Sequence, residues 1–135
     1  MKNIINYAKE AEDTFKNRQF NAVDSLILSQ LAYLDYDGVV PGLSDIASPV
    51  SVQEVAAIEN PETLYQDVRD RKSNRQLLFA FANSPRFRNT KLAFYVNQID
   101  NTAEKQFSAV TYLLGDDSAY VAYRGTDSTF VGWKE

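Results

Sequence analysis

The stretch QFSAVTYLLGDDSAYVAYRG, residues 106–125, decides the fold. Two runs rich in β-branched and aromatic residues, 106–114 and 119–124, flank the tetrad Gly115-Asp116-Asp117-Ser118. Each run has strand length, and the polar tetrad between them reads as a tight turn, so the pair is predicted to form an antiparallel hairpin. The first run is apolar at both parities. Phe107, Ala109 and Leu113 fall on one face, and Val110, Tyr112 and Leu114 on the other. A strand of that kind is expected to lie centrally in a sheet and to be covered by helices. Upstream, KLAFYVNQI at 91–99 has the same character, which makes the expected β-region a three-stranded meander over residues 90–127.

Residues 1–89 read as helical. FNAVDSLILSQLAYLDYDGVV, residues 20–40, carries Phe20, Val23, Ile27, Leu31 and Leu34 at three- and four-residue steps, one face of a helix. Asn21 suits the N-cap and Asp37-Gly38 the stop, while Leu26 and Leu28 widen the apolar face. Met1–Asn17 reads as a weaker amphipathic helix. Ser51-Val52-Gln53-Glu54 has capping-box spacing ahead of a short helix through Ile58, and Asn60-Pro61 places a cap before a proline at the first helical position. Ser73 with Gln76 repeats the box before Leu77, Leu78 and Phe81, and Ser84-Pro85 closes that helix. Pro41-Gly42 and Ser48-Pro49 mark an irregular connection. There is no internal repeat or low-complexity tract.

Composition narrows the chemistry. A chain of 135 residues with 44% hydrophobic and 24% charged residues has the make-up of one soluble domain. A net charge of -4 disfavours sequence-independent nucleic-acid binding, which depends on Lys and Arg against phosphate. The basic stretch from Arg69 to Arg75 is short and interrupted by Asp70, so it reads as a solvated helix start. No signal-peptide core opens the chain and no apolar run reaches membrane-spanning length, so the expectation is a cytoplasmic protein without stable membrane insertion. Zero cysteines exclude disulfides and thiolate nucleophiles. Zero histidines exclude a self-contained Ser-His-Asp reaction. No cofactor or metal is expected. Asp35-Tyr36-Asp37-Gly38 resembles the start of a calcium loop, but the glycine comes early and no bidentate Glu closes it, so it reads as a helix-ending turn.

The second hairpin run flows into Arg124-Gly125-Thr126-Asp127. A strand ending this way, together with the phrases FNAVDSLILSQLAYLDYDGVV, KQFSAVTYLL and YVAYRGTDSTFVGWKE, resembles a bacterial lipase-like family of unknown function. That family is related to the class 3 lipases of the serine α/β-hydrolase superfamily. The implied fold is α/β: amino-terminal helices, then the meander, as the opening part of an α/β-hydrolase fold. Residues 1–135 would form a single domain, the amino-terminal portion of a hydrolase-like domain, with 128–135 as the start of a lid or flank segment. The resemblance implies that Thr126 helps to build an oxyanion hole, with Gly125 and Arg124 supporting the turn. It places Asp127 and Trp133 beside the substrate. The chemistry is coherent, because fixed donors aimed at a developing oxyanion are a large catalytic contribution and a glycine allows close backbone approach.

The implied activity is hydrolysis of a carboxylic ester or lipid. The five glycines include no pair flanking a serine at G-x-S-x-G spacing, so the nucleophile is not in this sequence and the chain alone is expected to be inactive. The competing reading is a non-catalytic protein-interaction module derived from a hydrolase. On the plain turn-chemistry reading, Arg124 to Asp127 is an ordinary strand-ending turn and Trp133 a packing residue. In either case a strand edge at Ala119–Tyr123 invites self-association.

Overall fold

The computed structural model describes residues 3–42, 48–66, 68–100 and 105–125. In chain order they form α1 (Ile4–Glu10), α2 (Ala22–Leu31), β1 (Val50–Ser51), α3 (Val52–Ala56), a 3-10 turn (Pro61–Tyr65), α4 (Arg71–Asn83), β2 (Lys91–Asp100), β3 (Lys105–Leu113) and β4 (Ala119–Gly125). The sheet has four strands in the order β1-β2-β3-β4, every pair antiparallel. This mixture of helices and sheet agrees with the α/β class. The strand count differs from the expected three because Val50 and Ser51 pair with Leu92 and Lys91 before the chain turns into α3. A two-residue strand leaves no periodic signature in sequence.

The hairpin forms as the tetrad predicts. Leu114 N–H donates to Ser118 O at 2.8 Å, and the Asp116 carboxylate accepts the Ser118 N–H at 3.1 Å. The left-handed residue is Asp117, at φ 68°. Asp tolerates this conformation better than most side chains do, though at some cost.

α2 starts at its capping box, with Asn21 Oδ1 accepting the Asp24 N–H and the Asp24 carboxylate accepting the Asn21 N–H. It stops at Leu31, well before Asp37-Gly38. Two buried phenols reach its last carbonyls: Tyr112 donates to Leu28 O at 2.9 Å and Tyr36 to Leu31 O at 2.6 Å. Helix-terminal carbonyls are thereby bonded by side chains arriving from the sheet and from the following turn. Burial pushes both phenols far above the usual tyrosine range. Gly38 then sits at φ 77°, in the turn that brings the chain back toward the sheet.

Other expectations shift in detail. The amino-terminal helix covers only Ile4–Glu10, capped by Asn3. The Ser51 box opens α3 as read. Asn60-Pro61 starts a 3-10 turn, with no side-chain cap bond. The cap of α4 is Asp70 rather than Ser73: its carboxylate accepts the Ser73 N–H at 2.9 Å, which places Ser73 inside the first turn. Leu26, expected to widen the buried face of α2, is 60% exposed, because the helix packs along Ile27, Leu28 and Leu31.

One core runs between the helices and one sheet face. Ile27, Leu28, Leu31, Leu77, Leu78 and Phe81 from α2 and α4 meet Leu92, Val110 and Tyr112 from the strands. Each such side chain contributes about 1.5–3 kcal/mol when fully buried. At one end of this core, Arg86 and Asp24 form a buried ion pair with no side-chain exposure. Nε donates to Asp24 Oδ1 at 3.0 Å. The two terminal nitrogens donate to the other Asp24 oxygen and to the carbonyls of Asp13, Arg18 and Gln19. The guanidinium also lies 4.1 Å from the centre of the Phe15 ring. Its donors are all occupied internally, so this cluster fastens the segment between α1 and α2 to the start of the β-region.

The opposite sheet face departs from expectation. β3 is central, as predicted, but among the described residues the helices gather on one side only. On the other side Val121 and Tyr123 are 44% and 41% exposed, and Phe94 is 47% exposed at a bulge between Ala93 and Val96. The two-sided apolarity of β3 is therefore matched by helical cover on one side.

Candidate functional site at the carboxyl end of β4

β4 alternates cleanly. Tyr120, Ala122 and Arg124 face the core, while Ala119, Val121 and Tyr123 face outward. Tyr120 shares a hydrogen bond with Ser25 Oγ at 2.7 Å, tying the strand to α2, and the small Ala122 permits close approach. The next inward position is a cation. Arg124 is 5% exposed, with its terminal nitrogen 3.5 Å from Ser108 Oγ and its guanidinium carbon 5.8 Å from the centre of the Tyr33 ring.

This arginine belongs to a polar row crossing the sheet. Asn97, Ser108 and Arg124 are register partners on β2, β3 and β4. Ser108 Oγ donates to Asn97 Oδ1 at 2.9 Å, and Asn97 Nδ2 donates to Asp37 Oδ2 at 3.0 Å. Behind Asp37, the buried Asp35 accepts the Asp37 N–H at 3.0 Å and a bond from Gln66 Nε2. Tyr95 sits nearby with its ring edge-on to Tyr36; burial, then the charge of Asp35, raises its ionisation. Polar groups buried in a sheet face are costly unless bonded, and this row is bonded from strand to strand.

The row ends at an open cleft of about 520 Å³ lined by Gln30, Tyr33, Val68, Arg69, Asp70, Asn74 and Arg124. Its walls come from the end of α2, the segment entering α4, and the last residues of β4. Gln30 Nε2 donates to Asn74 Oδ1 at 3.2 Å, and Asn74 Nδ2 donates to Asp70 O at 2.8 Å, so the floor is cross-linked. The Asp70 carboxyl is held below the usual carboxylate range by the hydrogen bonds from Ser73 at the helix start. A smaller hollow of about 270 Å³ shares Gln30, Asp70 and Asn74 and adds Ile4, Ile5 and Leu77.

Of the residues expected to form the site, Arg124 lines this cleft, and its described contacts run inward to Ser108 and Tyr33. Gly125 is the last residue of β4 and remains in register opposite Phe107. Thr126, Asp127 and Trp133 lie outside the described residues. Among the described residues no group of three or more His, Cys, Asp or Glu is placed to hold a metal ion, and no helix is long and apolar enough to cross a membrane.

Tyr33, Gln30, Asn74, Asn97 and Ser108 were not singled out as site residues from the sequence. One signal was available for two of the positions here. Ser108 shares parity with Val110, Tyr112 and Leu114, and Arg124 shares parity with Tyr120 and Ala122, so each is a polar residue at a core position of its strand.

A family model described as Mbeg1-like, a lipase-like family by name, matches residues 81–135. The matched stretch includes the end of α4, the three long strands and the sequence Arg124-Gly125-Thr126-Asp127. No curated protein and no solved structure matches significantly.

Proposed function

We propose that residues 1–135 form the amino-terminal portion of a lipase- or esterase-like serine hydrolase acting on a carboxylic ester, with Thr126 as an oxyanion-hole residue. The observation that carries this reading is the course of β4. The strand brings a buried arginine to the rim of an open cleft and ends at Gly125, the residue before Thr126 in the sequence, inside the stretch matched by the Mbeg1-like model. A hydroxyl residue in that position can direct a backbone N–H and a side-chain hydroxyl toward one oxygen. Arg124 and Ser108 give the strand end a hydrogen-bonded base, and Asp127 and Trp133 flank the substrate. The helices and four antiparallel strands would then be the opening part of an α/β-hydrolase domain.

The chain itself supplies no histidine and no G-x-S-x-G serine, so it does not hydrolyse esters alone. The test is labelling of the longest natural product of the gene with a fluorophosphonate probe. Covalent labelling at a serine, with turnover of a 4-nitrophenyl ester reduced about 100-fold or more by Thr126→Gly, is the expected result. Absence of labelling in a folded product carrying a G-x-S-x-G serine refutes the hydrolase reading. Esterase activity from the purified 135-residue chain refutes the assignment of its missing parts.

A further inference from the structure

The outward face of α4 carries a concentrated positive charge. Arg71, Arg75, Phe79 and Asn83 recur at four-residue steps, with Lys72 and Gln76 beside them, and all of these are exposed. The other side of the helix buries Asn74, Leu77, Leu78 and Phe81. Its sequence, RKSNRQLLFAFAN, holds three cations and no acidic residue. Arg71 and Lys72 lie in the first turn, where the helix dipole disfavours positive charge, so helix stability does not account for their placement. Among the described residues none of the three cations is in an ion pair, and the Asp70 carboxylate at the cap is engaged by the Ser73 N–H. One turn beyond Arg75, Phe79 leaves 38% of its surface exposed, with the Arg75 guanidinium carbon 5.4 Å from its ring centre. Phe79 also borders an open groove of about 380 Å³ between α1 and α4, whose rim includes the exposed Lys9.

We propose that this face of α4 docks on an anionic lipid surface, with Arg71, Lys72 and Arg75 against the headgroup phosphates and Phe79 at the boundary with the acyl chains. Cations held on one rigid face meet a plane of negative charge together. The chain as a whole is acidic, at -4, so screening confines the attraction to this face. A guanidinium stacked on an aromatic ring still donates to phosphate oxygens, so Arg75 binds without leaving Phe79. An oligonucleotide or an acidic peptide would satisfy the cations equally. The exposed ring and the groove beside it favour a partner that is anionic at its surface and apolar just beneath. The contact is peripheral, made by the polar face of a helix whose apolar face stays in the core. It does not rest on the hydrolase reading, because no residue of the proposed oxyanion turn takes part.

The test is co-flotation of the 135-residue chain with two kinds of vesicle, one of phosphatidylcholine alone and one an equimolar mixture with phosphatidylglycerol. A cation at an anionic leaflet strengthens partitioning about fivefold, so three predict binding to the mixed vesicles about 100-fold tighter, weakening as salt rises. Arg71→Gln combined with Arg75→Gln should weaken that binding about 25-fold, and Phe79→Ser about fivefold. All three positions are exposed, and circular dichroism checks that the variants keep the fold. Lys91→Gln removes one charge at the start of β2 and should change binding less than about twofold, against about fivefold for Arg71→Gln alone. Equal binding to both vesicles overturns the proposal, as do equal losses from Lys91→Gln and Arg71→Gln or an unaffected Phe79→Ser. Tighter binding to a single-stranded oligodeoxynucleotide than to the mixed vesicles overturns it too. Fluorophosphonate labelling plays no part in the measurement, so the two readings can fail separately.

Discussion

Arg86→Met tests the strongest energetic statement in the structure. The substitution keeps an unbranched, apolar side chain over Phe15 but removes every donor of the guanidinium. Asp24 then remains in the interior without its counter-ion, retaining bonds from Tyr7 and from the Asn21 backbone. Removing one partner of a buried pair costs about 3–5 kcal/mol, because the remaining charge loses the interaction that offset its desolvation. The carbonyls of Asp13, Arg18 and Gln19 lose their guanidinium donor as well. Against a total stability of about 5–15 kcal/mol, the loss removes a large share. In urea, followed by far-ultraviolet circular dichroism, the midpoint should fall by about 2 M for an m-value of about 2 kcal/mol/M. Pairing Arg86→Met with Asp24→Asn removes the orphaned charge while keeping an acceptor for the Asn21 N–H, and should recover part of the loss. A single Arg86→Met variant within about 0.5 M of the parent midpoint would refute the account, as would a double variant less stable than the sum of its single changes.

Three further outcomes follow from other parts of the molecule. Asp117 holds φ at 68° in the hairpin turn, so Asp117→Val should cost about 1–2 kcal/mol by thermal unfolding while Asp117→Gly costs nothing; equal effects would show that the backbone does not hold that conformation. Glu54 ionises below the usual carboxylate range because it accepts hydrogen bonds from the backbone and hydroxyl of Ser51. A depressed folded value means its contribution is present above the unfolded Glu pKa and is lost as pH falls through the folded one, so the Glu54 carboxyl should titrate below an ordinary glutamate by NMR and α3 should fray only in acid. β4 has no neighbouring strand beyond it among the described residues and exposes Val121 and Tyr123, so light scattering should show concentration-dependent association that Val121→Lys reduces; a parent chain that stays monomeric at high concentration sinks this expectation.

Secondary structure was legible where one local cause decided it. The Asn21 cap, the Ser51 box, the Asp116-Asp117 turn and the composition of the three long strands each act within a few residues. The errors arose where a distant group intervened. α2 ends at Leu31, where phenols at positions 36 and 112 reach its last carbonyls, and nothing near Leu31 announces that. Asp70 outcompetes Ser73 as a cap because the helix starts earlier than the apolar stripe implies. β1 is too short for any periodicity, and Leu26 looks apolar in sequence yet faces outward. At the candidate site, β4 could be read directly as a strand, but the cleft could not. It is assembled from α2, the entrance to α4 and β4, which approach one another only after folding.

The alternation along β4 also governs which insertions and deletions this region can absorb. Losing one residue between Ala119 and Tyr123 would reverse the parity of everything after it, swinging the Arg124 charge to the exterior and drawing the Tyr123 ring in opposite Val110. Losing two would restore parity while drawing the strand's end away from the cleft by about 7 Å. Length variation among relatives should therefore collect outside this strand, in the Gly115–Ser118 turn, where a changed loop leaves the inward-facing row undisturbed.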